Sequence, residues 1–220
     1  MSCADVFIFK ADLADLDDCK LSAKKQAVSD TARNFVIKYT AEFEGIPAEK
    51  LIYSHDSHGK PYIIGSRLHF NISHCGSVIA VAFCTEEIGA DIELVRDFNS
   101  AVVKRYFTDG EKEYISSADD KETENQRFFE IWTAKEAFLK YCGVGISGGF
   151  DFDTAAANAL CHRINSSKLG EADVIHHNGN ILAYENDIPV KNLYIDSNKT
   201  VRYCVSVCAR EIKKINFNIK

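Results

Sequence analysis

Between positions 20 and 43, Ala27, Thr31 and Phe35 recur at helical spacing, as do Val28, Ala32 and Val36, so a helix is predicted there. Gly45-Ile46-Pro47 closes it. Leu51-Ile52-Tyr53 reads as a short strand, and Ser57-His58-Gly59-Lys60-Pro61 has the composition of a turn. Residues 69–72 alternate polar and apolar, as a half-buried strand does. Residues 78–84 are apolar on both faces, which marks a central strand. Thr85-Glu86-Glu87 is short enough for a hairpin loop into a further strand at 88–95.

From 96 to 100 the pattern turns helical, and the boundary between two halves is placed there, giving 1–97 and 98–220. Helices are predicted at 99–107 and 109–117, a polar exposed loop at 119–125, and a long helix at 126–141 with Phe128, Ile131, Phe138 and Tyr141 on one side. Gly143 is its natural stop. Residues 174–184 are split by Asn178-Gly179, a hairpin signal, and 201–208 alternate as a last strand. Each half runs helix first, then strands. The predicted class is α+β, with two similar subdomains packed together.

Composition narrows the function. The 220 residues are 46% hydrophobic and 26% charged, an ordinary globular balance. A net charge of −6 argues against a nucleic-acid partner, whose phosphates need a basic face. The first residues carry no signal-peptide pattern, and no apolar run nears the roughly 20 residues that span a bilayer. A cytoplasmic protein without a membrane segment is expected. The eight cysteines are scattered with no CxxC pair, which suits buried small hydrophobes.

Asp91 and Glu93 stand two apart in a predicted strand, so both carboxylates leave the same face while Ala90, Ile92 and Leu94 face the core. At about 3.3 Å per residue their attachment points lie about 6.7 Å apart. Their repulsion is about 2–3 kcal/mol at an effective dielectric of 20. Water screens it on an exposed edge; a hard divalent cation relieves it in a site. Trp132, Glu136 and Lys140 form a helical i,i+4 stripe. By itself that stripe is an ordinary ion pair beside a core tryptophan. Ser73 and His74 end a strand before a glycine turn, a place where an anion can be met, although a lone strand-end histidine is commonly a surface residue.

In order, Gly59-Lys60-Pro61, Phe70-Asn71-Ile72-Ser73-His74, Ile88-Gly89-Ala90-Asp91-Ile92-Glu93 and Trp132-Thr133-Ala134-Lys135-Glu136-Ala137-Phe138-Leu139-Lys140 resemble the 4′-phosphopantetheinyl transferase superfamily, in its larger, Sfp-type branch. Arg105-Tyr106-Phe107 with Glu111, and Gly143-Val144-Gly145-Ile146-Ser147, extend the resemblance. It implies a pseudo-twofold monomer with its active site in the cleft between halves. It implies Mg²⁺, with Mn²⁺ as an alternative, held by Asp91, Glu93 and Glu136 on the coenzyme A diphosphate. Lys60 with Pro61, Ser73 and His74 would bind the nucleotide side. Lys135 and Lys140 would face the diphosphate and the departing 3′,5′-ADP, with Glu136 and Lys140 catalytic. Trp132 would pack to position the helix. Lys24 or Lys25 of the first helix would reach the 3′-phosphate. The implied partner is an acyl carrier protein or peptidyl carrier domain, whose serine receives the phosphopantetheine arm. Two other readings use the same residues: a Mg²⁺-dependent phosphoesterase acting on coenzyme A, and a non-catalytic coenzyme A-binding module.

Overall fold

The computed structural model describes residues 3–13, 20–145, 149–150, 152–154, 161–166, 170–182, 200–210 and 214–219. The chain opens with β1 (Cys3–Lys10) and the long helix α1 (Leu21–Glu44). After a single 3-10 turn come β2 (Tyr53–His55), β3 (Pro61–Ile63), β4 (His69–Cys75), β5 (Val78–Cys84) and β6 (Ile88–Leu94). Helices α2 (Ser100–Tyr106), α3 (Asp109–Ser116) and α4 (Lys121–Cys142) follow. Strands β7 (Cys161–Ser166), β8 (Gly170–Leu182), β9 (Thr200–Ala209) and β10 (Lys214–Ile219) end the chain.

Two four-stranded sheets pack face to face, ordered β10-β1-β5-β4 and β6-β9-β8-β7, and β2 and β3 pair separately. The apolar core between them takes Val6, Ile8, Val78, Ala80 and Ala82 from the first sheet and Ile88, Ala90, Ile92, Tyr203, Val205 and Val207 from the second. Period-two alternation leaves each sheet a second face. Ile79, Val81 and Phe83 of β5 meet Val28, Ala32 and Val36 of α1 on the outer side of the first sheet. Cys208 of β9 meets Ala134, Ala137 and Phe138 of α4 on the outer side of the second. The layers thus run α1, sheet, sheet, α4.

Several sequence expectations are corrected by this topology. The three-residue segment after β5 is no hairpin, because β5 pairs with β1 and β4 while β6 pairs antiparallel with β9. The chain crosses there from one sheet to the other. Asn178-Gly179 makes no turn: both lie inside β8, opposite Cys204 and Tyr203, where the long ladder to β9 overrides the local turn preference. The expected loop at 119–125 is mostly helix. Asp120 caps α4 by accepting the Thr123 amide at 2.7 Å, and Glu122 and Glu124 suit the positive end of the helix dipole. β9 is not the last strand, since β10 follows and pairs parallel with β1. Each sheet therefore takes one strand from the other side of the 97/98 boundary: β6 joins β9, and β10 joins β1.

Gly143 ends α4 as expected, with φ 70° and its amide bonded back to Leu139 and Lys140 carbonyls. Gly89 has a different reason to be glycine. A Cβ there would land on the Ala137 carbonyl and the Tyr141 amide, and 2.9 Å from the Tyr141 Cα. This close approach lays the odd-numbered face of β6 directly against α4. Asp91 and Glu93 share that face.

Candidate active site

The edges of the two sheets meet where β4 runs beside β6 without a ladder between them, and side chains bridge the seam instead. Asn71 Oδ1 accepts the Ala90 amide at 2.9 Å, the Ser73 hydroxyl donates to Asp91 Oδ1 at 2.7 Å, and the Cys75 thiol donates to Glu93 Oε2 at 3.1 Å. From above, α4 delivers Lys140, whose ammonium lies 2.6 Å from Asp91 Oδ1 and 3.0 Å from Ser73 Oγ. Thr133 and Ser206 join hydroxyls at 2.6 Å and pin α4 to β9 directly opposite Asp91 in the ladder.

Glu136 sits one turn before Lys140. Its carboxyl is pushed up to about 7 by loss of water on burial, then by the charge of Asp91, with Lys140 opposing and Glu93 adding. Glu93 is raised for related reasons: burial first, then Asp91, with Arg96 opposing. Asp91 thus raises both Glu93 and Glu136, as a like charge gathered in one site does. Buried oxygens without a hydrogen-bond partner include Asp91 Oδ2 and Glu136 Oε1. An orphaned buried carboxylate oxygen costs free energy, and a hard cation satisfies it. On that observation the donor set fits Mg²⁺ or Mn²⁺. It is not a ready-made cage: among the described residues no three His, Cys, Asp or Glu side chains surround one point closely enough to hold an ion. Lys140 occupies Asp91 Oδ1, and Arg96 Nη1 holds Glu93 Oε2 at 2.8 Å.

Beside these acids stand two lysines and the imidazole of His74. His74 is exposed, yet crowding by the surrounding protein holds its imidazole below the usual value, as do the charges of Lys140 and Lys25, with Asp91 opposing. Lys25 of α1 therefore shares this corner with His74 and Lys140, while Lys24, half-buried, precedes it on the same helix. Ser73, expected to meet the nucleotide, is buried and engaged between Asp91 and Lys140.

Lys60 lies at the other end of β6. Its ammonium bonds Glu87 at 2.7 Å and the Ile88 carbonyl at 3.2 Å, and Glu87 also meets His69 at 3.0 Å. With Pro61, Phe70 and Glu87 it lines a cleft of about 320 Å³. A cleft of about 340 Å³ opens beside Glu93, floored by Phe128, Phe129 and Trp132 and edged by Arg96 and Asn99. Trp132 stacks on Phe128 and Phe150, in keeping with a packing role.

Lys135 is a correction. Its side chain is fully buried on another side of α4, 3.0 Å from Glu111 Oε1 and 2.6 Å from the Phe152 carbonyl. Glu111 also receives the Thr154 amide and hydroxyl, each at 2.7 Å, and closes the capping box of α3 with Thr108. A residue so enclosed, with Glu111, holds Phe150, Phe152 and Thr154 to the helices and cannot face a diphosphate. Arg96, Cys75 and Glu87 were not singled out from the sequence. For Arg96 a signal existed: it follows Glu93 by three residues just past the strand end, within reach of that carboxylate.

Comparisons with known proteins point to one family. The model of the 4′-phosphopantetheinyl transferase superfamily matches residues 87–189, which takes in Asp91, Glu93 and all of α4. The family resemblance read from the motifs stands. The chain is 35% identical over 116 residues to the 4′-phosphopantetheinyl transferase psf-1 of Bacillus pumilus, covering 52% of this chain and 49% of that protein. It is 36% identical over 96 residues to the 4′-phosphopantetheinyl transferase Sfp of Bacillus subtilis (strain 168), covering 43% and 42%. It is 32% identical over 147 residues to the L-aminoadipate-semialdehyde dehydrogenase-phosphopantetheinyl transferase of Mus musculus, covering 57% and 46%. The chain spans less than half the length of these curated relatives.

Proposed function

We propose that this chain transfers the 4′-phosphopantetheine arm of coenzyme A to a serine of an acyl or peptidyl carrier protein. The observation that carries the reading is the pair of orphaned carboxylate oxygens, Asp91 Oδ2 and Glu136 Oε1, beside a fringe of Lys25, His74 and Lys140. Unpartnered carboxylate oxygens beside lysine ammonium groups suit a metal-diphosphate ligand. Asp91, Glu136 and Glu93 would hold the cation, whose contribution is to neutralise the diphosphate oxygens as charge develops.

The serine oxygen attacks the phosphorus that bears the pantetheine arm. A new phosphodiester bond forms, the bond to the second phosphate breaks, and 3′,5′-ADP departs with the electron pair. The serine proton passes to Glu136, which acts as the general base. Lys140, drawn from Asp91 to the diphosphate, stabilises the leaving group. Lys25 and His74 receive the 3′-phosphate, and the apolar cleft at Phe128, Phe129 and Trp132 takes the pantetheine chain. On the same reading the chain divides near residue 97 into two similar α+β units, one around α1 and one around α4. The chain acts as a cytoplasmic monomer.

The test is to incubate the protein with coenzyme A, Mg²⁺ and a panel of apo carrier proteins and to record intact masses. One phosphopantetheine added to one serine, and none added with a chelator present, is expected. Consumption of coenzyme A with every carrier left unmodified would replace transfer by hydrolysis.

A further inference from the structure

Oε2 of Glu93 is held from two sides. The Cys75 thiol donates to it at 3.1 Å and Arg96 Nη1 at 2.8 Å. The same Nη1 donates to the Leu94 carbonyl at 2.7 Å, and the guanidinium carbon lies 4.8 Å from the centre of the Phe129 ring. Phe129 belongs to α4, so one guanidinium ties the end of β6 to the helix that carries Glu136. The pair is shielded: the Arg96 side chain is 19% exposed and that of Glu93 21%.

Glu93 needs such a restraint. Asp91 stands two residues away on the same face of β6, and Glu136 approaches from the helix. Both repel Glu93, whose side chain is partly open to water. A planar guanidinium bonded to carboxylate and backbone together, and stacked on an aromatic ring, is suited to holding one geometry.

The geometry points to Arg96 as a positioning residue for the transfer: it fixes Oε2 of Glu93 and leaves Oε1, which carries neither bond, for the cation. This rests on the transfer reading above. Partners that orient a metal-binding carboxylate typically alter metal affinity by about 10–100-fold when removed. A purely structural Arg96, capping Leu94 and covering Phe129, would act without Glu93.

A double-mutant cycle separates the two. Arg96→Met, Glu93→Gln and the double variant are compared with the wild-type chain for Mn²⁺ binding in the presence of coenzyme A, read from the free-ion electron paramagnetic resonance signal. Single-turnover transfer to an apo carrier is read in parallel. Arg96→Met is expected to weaken Mn²⁺ binding by about 10-fold or more in the wild-type background, and by about 2-fold or less beside Glu93→Gln. Equal losses in both backgrounds, or unchanged Mn²⁺ binding in Arg96→Met, would overturn the role. If Arg96→Met does not fold, Arg96→Lys, which keeps the charge and loses the planar fork, runs the same cycle with the same criteria. A wild-type chain that binds no Mn²⁺ beside coenzyme A refutes the transfer reading itself, and the role of Arg96 with it.

Discussion

The Lys140 ammonium, 2.6 Å from Asp91 Oδ1, neutralises one oxygen of that carboxylate while Oδ2 stays buried and unpartnered. In the free protein Lys140 thus stands in for part of the charge that a cation would bring. Lys140→Met is expected to bind Mn²⁺ more tightly than the wild type when coenzyme A is absent, because a competing charge is gone. It is expected to bind coenzyme A about 10-fold more weakly, the scale of one lost charge-assisted bond. Calorimetry with each ligand alone checks both signs. Looser Mn²⁺ binding in the variant would contradict them.

Glu136 sets a pH dependence. Its folded-state value of about 7 lies above its ordinary 4.5. Between those values the native state binds more protons than the unfolded chain, so stability falls as pH rises through that window. Glu136→Gln removes the effect. Without divalent cation it is expected to raise stability by about 2 kcal/mol at pH 8, allowing for partial solvent screening, and to change little at pH 4. Denaturant unfolding at the two pH values measures the difference. A variant no more stable at pH 8 would mean that Glu136 is not strained by its neighbours.

Gly89→Ala tests the contact that lays β6 against α4. The added methyl meets backbone atoms of Ala137 and Tyr141, which cannot rotate away as a side chain would. Overpacking of this kind costs about 1–3 kcal/mol, here at the upper end, and shifts the helix from the acids below it. The midpoint of chemical denaturation should fall accordingly; an unchanged midpoint would show that α4 has room to move.

Lys135→Met separates a structural lysine from a ligand-binding one. Breaking its buried pair leaves Glu111 charged and partly uncompensated, which costs about 3–5 kcal/mol. A large loss of stability is expected, with coenzyme A affinity retained in whatever fraction stays folded. A stable variant with weakened coenzyme A binding would instead return Lys135 to the site.

Much of this site was legible in the sequence because its periodicities are local. Strand alternation put Asp91 and Glu93 on one face, and helical spacing put Glu136 and Lys140 in one stripe; both hold. Lys135 went astray because one residue along a helix is about 100° around it, and what it meets there, Glu111, belongs to another helix. The β5–β6 crossing was hidden for a similar reason: a short loop between apolar strands fits a hairpin, and only β9 shows that β6 pairs elsewhere. Asn178-Gly179 has turn chemistry that a long ladder overrules. Glu93's engagement with Arg96 and Cys75 depends on the seam between two sheets, which no single segment encodes.

Asp91 and Glu136, together with Glu93, would hold one cation beside a diphosphate. Crystals grown with coenzyme A and Mn²⁺, measured at the manganese absorption edge, place that ion by its anomalous scattering. A peak within bonding distance of these carboxylates and of the diphosphate is expected. A peak elsewhere, or a diphosphate bound at this seam with no metal, would contradict it.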